Sequence, residues 1–114
     1  MQTQTNVYNF LSQFGTVYMK NQVPSANGLV FPHLTYEFDI ENWKNDGVGQ
    51  IRIYDKSGST KKAFQIAEDI EDVIGDGYVI ENLIMHAGSP FIQIIEQEDI
   101  NIKCLYVNLT INYL

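Results

Sequence analysis

Leu105-Tyr106-Val107-Asn108-Leu109-Thr110-Ile111-Asn112-Tyr113, at the C-terminal end of the chain, alternates without a slip. Leu105, Val107, Leu109, Ile111 and Tyr113 share one parity; Tyr106, Asn108, Thr110 and Asn112 share the other. Successive side chains of a strand point to opposite faces, so this period of two predicts a strand with one face in the core and one polar. Just upstream, Phe91 to Glu96 reads as another strand, followed by an acidic turn at Glu98-Asp99. Ala87-Gly88-Ser89-Pro90 reads as a connector before it. Tyr78 to Met85, entered through Asp76-Gly77, carries apolar residues on both parities and resembles a strand covered on both faces.

The period changes to that of a helix between Ala63 and Ile74. Ala63, Ile66, Ala67, Ile70, Val73 and Ile74 form one stripe, with Glu68, Asp69, Glu71 and Asp72 opposite. Ser59 or Thr60 suits the N-cap and Gly75 the C-terminal stop. Before that helix, Leu34, Tyr36, Phe38 and Ile40 alternate with Thr35, Glu37 and Asp39, and Gln50 to Tyr54 alternates again beyond the turn chemistry of Asn45-Asp46-Gly47. This is a hairpin signature. At the N-terminus, Val7, Phe10, Leu11 and Phe14 mark a first helix capped by Thr5 or Asn6 and ended by Gly15. A short strand at Thr16-Val17-Tyr18-Met19 follows, then an irregular loop from Gln22 to Pro32. The order favours a single α+β domain over 1–114, with a largely antiparallel or mixed sheet and two helices packed on one face. Leu105, Val107, Leu109 and Ile111 are expected against Ile66, Ile70 and Val73.

A length of 114 residues suffices for one core and not for two full-sized ones. Hydrophobic residues at 45% and charged residues at 18% argue against disorder. One Cys cannot form an internal disulfide, which excludes a disulfide-stapled scaffold. No basic region followed by an apolar stretch opens the chain, and no apolar run reaches bilayer length. A soluble, unprocessed protein is the expectation, without membrane partners.

A net charge of −7 makes a dedicated nucleic-acid binder improbable, because phosphate neutralisation needs cations. The charge is also polarised. Nine carboxylates and no Lys or Arg lie between Glu68 and Asp99, while five of the seven basic residues lie between Lys44 and Lys62. Such a split suits head-to-tail contacts between copies, or simply a solvated acidic face.

Little catalytic chemistry is legible. His33 and His86 lack metal-ligand spacing with Cys104 or each other. Cys104 has no base that sequence pairs with it. Glu68 and Asp72, one helical turn apart, could share a cation, but no ligand loop accompanies them. Gly47-Val48-Gly49 precedes a strand instead of opening a helix, which fails the context of a dinucleotide site. Asn108-Leu109-Thr110 matches a glycosylation triplet in mid-strand. Tyr18, Tyr54 and Tyr106 fall on outward faces and suit an interface or partial burial. No enzyme, metal or cofactor is expected.

The succession of N-terminal helix, Gly15-Thr16-Val17-Tyr18 strand, loop ending Phe31-Pro32-His33-Leu34-Thr35-Tyr36-Glu37, hairpin to Ile53 and amphipathic helix Ala63 to Ile74 resembles tail-terminator proteins of long-tailed bacteriophages. Pro32, Thr35 and Tyr36 are similar to the run that opens a central strand in that family, with His33 where an aromatic is usual. The resemblance implies a non-catalytic virion protein, made in the host cytoplasm and placed at the head–tail junction. It implies a ring, hexameric by that resemblance, on the tail tube. Its partners would be itself, the tail tube protein and the head connector protein, with DNA passing unbound. Candidate interface residues are Phe31, Lys56, Lys61, Lys62, Glu68 and Asp72, with Phe31 anchoring the loop on a partner or, alternatively, folding back with Val30 onto the protein itself. The rival readings are another head–tail connector or completion protein, and a small-molecule-binding α+β domain.

Overall fold

The computed structural model describes residues 2–19, 30–39, 47–56, 60–80, 83–97 and 101–113. The elements are α1 (Gln2–Ser12), β1 (Thr16–Met19), β2 (His33–Asp39), β3 (Gly47–Asp55), α2 (Lys61–Ile74), β4 (Tyr78–Ile80), β5 (Leu83–Ile95) and β6 (Lys103–Tyr113). The alternating C-terminal segment becomes β6 and lies inside a six-stranded sheet ordered β1-β2-β3-β6-β5-β4. Every pairing is antiparallel except β1 with β2, which is parallel, so the sheet is mixed and the fold is α+β. That parallel pair accounts for the length of the 20–32 connection, since parallel neighbours require the chain to return the length of a strand before pairing.

The register carries the hydrophobic pattern across strands. Leu105 pairs with Ile53, which pairs with Leu34; Val107 pairs with Ile51, which pairs with Tyr36. These residues are all buried and form one cluster with Ala63, Ala67, Ile70 and Ile74 of α2 and with Val7, Phe10 and Leu11 of α1. Both helices therefore cover the same sheet face. The alanines of α2 let its axis come close to the sheet, which it crosses over β3, β5 and β6. The first helix touches β1 and β4, the two outermost strands, so the sheet curls around the helices and α1 bridges its edges. Phe10 makes the contact with β4, its ring 4.5 Å from Tyr78, and also packs 5.4 Å from Phe14.

Several expectations require correction. Ile70 is fully buried, but Val73 is 39% exposed: the buried stripe runs 63, 67, 70, 74, and Val73 falls beyond its margin. Tyr78 to Met85 is not one strand but the two arms of a tight antiparallel pair, β4 and the start of β5, in which Ile80 opposes Leu83. Ala87 to Pro90 is no connector; β5 runs through it with a register irregularity between Ala87 and Ile92. Gly88, Ser89, Pro90 and Phe91 stand opposite Asn108 alone, and a strand can absorb such a bulged stretch without ending, which sequence punctuation does not reveal. The first helix begins at Gln2, ahead of the expected cap. Thr60 holds the N-cap of α2 without a side-chain cap bond, and Gly75 ends it at φ 52° with its N–H donated to Glu71 O. Ile40, the 45–46 turn residues, Ser59, most of the 22–32 loop and the Glu98-Asp99 turn lie outside the described residues. Among the described residues no helix is long and apolar enough to cross a membrane.

Candidate functional site

Because both helices cover one face, the other face of the sheet carries the parity that faces away from them. Its residues line up in rows across the strands: His33, Tyr54, Cys104 and Ile95 in one, Tyr18, Thr35, Arg52, Tyr106 and Gln93 in the next. A third row joins Glu37, Gln50 and Asn108. Chemistry grades along the face from an aromatic end to a polar end.

At the aromatic end His33 is 3% exposed despite the absence of a helix. Its ring stacks on Tyr54 at 5.0 Å and meets Tyr18 at 5.4 Å and Phe31 at 4.8 Å. The Nδ1–H donates to Val30 O at 2.8 Å, which leaves Nε2 as the acceptor of the neutral ring. Burial lowers the His33 pKa from its ordinary value, against the opposing pull of that hydrogen bond. Cys104 is buried beyond Tyr54, whose side chain it hydrogen-bonds. Burial pushes its thiol up to about 11, so it is a packed thiol at neutral pH and not a thiolate nucleophile. The two tyrosine edges of this cluster, Tyr18 and Tyr54, are half-buried, as is Tyr106.

At the polar end a directional chain of bonds crosses three strands. The Arg52 guanidinium lies 4.8 Å over the Tyr106 ring and donates through Nε to Gln50 Oε1 at 3.1 Å. Gln50 Nε2 donates to Asn108 Oδ1 at 3.3 Å. Asn108 Nδ2 then donates to Gln93 Oε1 at 2.8 Å and Pro90 O at 3.0 Å, which engages both amide hydrogens. The Arg52–Glu37 pair, at 4.0 Å, joins a half-buried guanidinium to an exposed carboxylate at the outer limit of ion pairing and contributes little to stability. Beside this chain a cleft of about 470 Å³ is bounded by Glu37, Gln50, Ser89, Asn108 and Thr110, with Gly88 in its floor. Gly88 is required there, because a Cβ would come within 2.8 Å of Asn108 O.

The candidate interface residues separate into two places. Phe31 and Lys56 come together at the aromatic end, with Lys56 Nζ 5.8 Å from the Phe31 ring centroid and Phe31 half-buried against His33. Lys61 and Lys62 occupy the first turn of α2, and Glu68 and Asp72 lie further along the same helix, all four exposed. The first turn of α2 has no acidic residue and the last turn has no basic one. Its charges thus run against the helix dipole, which favours anions at the N-terminus and cations at the C-terminus. The His33 cluster and the Gln50–Asn108 chain were missed by sequence reading. The register of β3 with β2 and β6 creates both, and only the outward parity of Tyr18, Tyr54 and Tyr106 hinted at them.

No protein-family model matches the sequence, and no curated protein matches it significantly.

Proposed function

We propose that this chain is a non-catalytic virion structural protein of the tail-terminator kind: it caps a phage tail tube as a ring, stops tube polymerisation and provides the head-docking surface. The observation that carries the reading is the charge order of α2. Exposed lysines at the N-terminal turn and exposed carboxylates toward the C-terminal end weaken the isolated helix, so their placement favours a role outside the fold. A ring needs a heterologous contact, one patch meeting a different patch of the next copy; Lys61 and Lys62 of one copy against Glu68 and Asp72 of the next supply one, and Lys56 with Phe31 supplies a second, separate contact. The order of helix, short strand, hairpin and second helix, with Pro32, Thr35 and Tyr36 opening β2, supports the same reading. Electron microscopy of tails assembled with and without the protein tests it. Capped tubes of uniform length with the protein, and overlong or headless tails without it, are expected; indistinguishable tails would refute it.

The cleft beside Gln50 and Asn108 favours a second reading, a small-molecule-binding α+β domain. A thermal-shift screen against polar metabolites separates the two, since a structural ring protein gains no stability from them.

A further inference from the structure

The curled sheet closes on itself only in part. The outermost strand β4 pairs with β5 at Leu83 to Met85 and goes no further, so among the described residues no strand flanks β5 on its outer side from Gly88 to Ile95. An open strand presents a row of backbone donors and acceptors, and natural edges are blunted by charge, proline or a covering segment. Here Pro90 and the bulged stretch up to Phe91 blunt the start of the segment, while Ile92-Gln93-Ile94-Ile95 runs in regular register with no charge and no proline. Ile94 is 62% exposed, the most exposed of the large apolar residues along the described chain. Four residues of high β-propensity in a five-residue stretch that no described strand flanks are an aggregation hazard unless something pairs with them.

We infer that this edge pairs with the same edge of a second copy, two β5 strands lying antiparallel about a two-fold axis at Gln93. The sequence pattern identifies the occupant. Phe91 to Ile95 reads apolar, apolar, polar, apolar, apolar in either direction. With Gln93 opposite its own symmetry mate, Ile92 faces Ile94, so the exposed Ile94 meets an apolar residue of the other copy. Faces agree as well: Ile92 and Ile94 pair within their own sheet with Val107 and Leu105 of the core parity, Gln93 and Ile95 with Tyr106 and Cys104 of the other. A two-fold at Gln93 also keeps Glu96 from facing its own symmetry mate, an important point between chains of net charge −7. The other sheet edge, β1, has Val17 buried and α1 beside it, a poorer site for a second strand. The pairing does not depend on the phage reading, and it uses none of Lys61, Lys62, Glu68 or Asp72.

Sedimentation equilibrium of the full chain across a concentration series is expected to give twice the 13.0 kDa chain mass. Ile94→Lys, at an exposed position that the monomer fold tolerates, should return the mass to that of one chain with an unchanged circular dichroism spectrum. A Gln93→Cys chain should form an intermolecular disulfide on mild oxidation, since directly opposed residues of an antiparallel pair sit about 4.5–5.5 Å apart at Cα, within disulfide range. The native Cys104 is buried and does not compete. A wild-type chain that remains monomeric, an Ile94→Lys chain that remains dimeric, or a dimer in which Thr16→Cys links to Ile94→Cys while Gln93→Cys fails to link to itself, would each overturn the two-fold edge.

Discussion

His33 concentrates more of the unexpected structure than any other side chain. Three aromatic rings enclose it, and its Nδ1–H ties the segment at Val30 to the start of β2. Its pKa is lowered from 6.5 chiefly by burial. Between that ordinary value and the lowered folded one, the unfolded chain binds a proton that the folded chain does not. Stability rises with pH wherever the unfolded state holds more protons, so the contribution of His33 is complete above 6.5 and falls as pH drops through that window. Denaturant titrations on either side of 6.5 should therefore show the wild type losing more stability on acidification than His33→Phe, which keeps an aromatic ring at the site and cannot be protonated. Equal losses in the two proteins would exclude His33 as the source.

At the scale of elements, the two sides of α2 can be tested separately. The buried side is tested by Ile70→Ala: with the side chain fully buried between helix and sheet, the substitution should lower unfolding free energy by about 2–5 kcal/mol in chemical denaturation. The exposed side is tested by replacing Lys56, Lys61 and Lys62 together with Glu. Anions at the first turn of a helix stabilise it by about 0.3–1 kcal/mol each, so this variant should melt no lower than wild type while its head-to-tail self-association weakens. A stability gain together with an assembly loss is a pattern that simple misfolding cannot produce. Undiminished assembly would place the ring contact elsewhere.

For the molecule as a whole, charge and shape act at different ranges. Subunits of net charge −7 repel one another, and contacts between lysines and carboxylates must overcome that repulsion. Raising salt from about 0.01 M to about 0.1 M shortens the Debye length from about 30 Å to about 10 Å, which weakens an exposed charge-paired contact. Apolar edge pairing through β5 loses only the repulsion. Light scattering across that range should therefore show the charge-driven higher assembly falling away while the two-chain species persists or tightens. A two-chain species that dissociates as salt rises would point to an ionic contact in place of the β5 edge.

What the sequence determined by itself is the set of choices made locally. Alternation in Leu105 to Tyr113 and in Leu34 to Asp39 made strands, the 3.6-residue stripe from Ala63 to Ile74 made α2, and Gly75 ended it, because period and turn chemistry depend on neighbours in the chain. Tertiary structure decided whatever depends on partners distant in sequence. Val73 fits the stripe by period, yet lies exposed because the sheet beneath α2 reaches only as far as the 63, 67, 70, 74 line. Gly88, Ser89 and Pro90 look like a connector, yet continue β5 because β6 runs alongside and Gly88 allows the close approach to Asn108. The enclosure of His33, the amide chain through Gln50 and Asn108, and the stretch of β5 from Gly88 to Ile95 that no described strand flanks all arise from strand order and register. Those are properties of long-range pairing, in which a side chain's environment is set by residues dozens of positions away, and no local pattern encodes them.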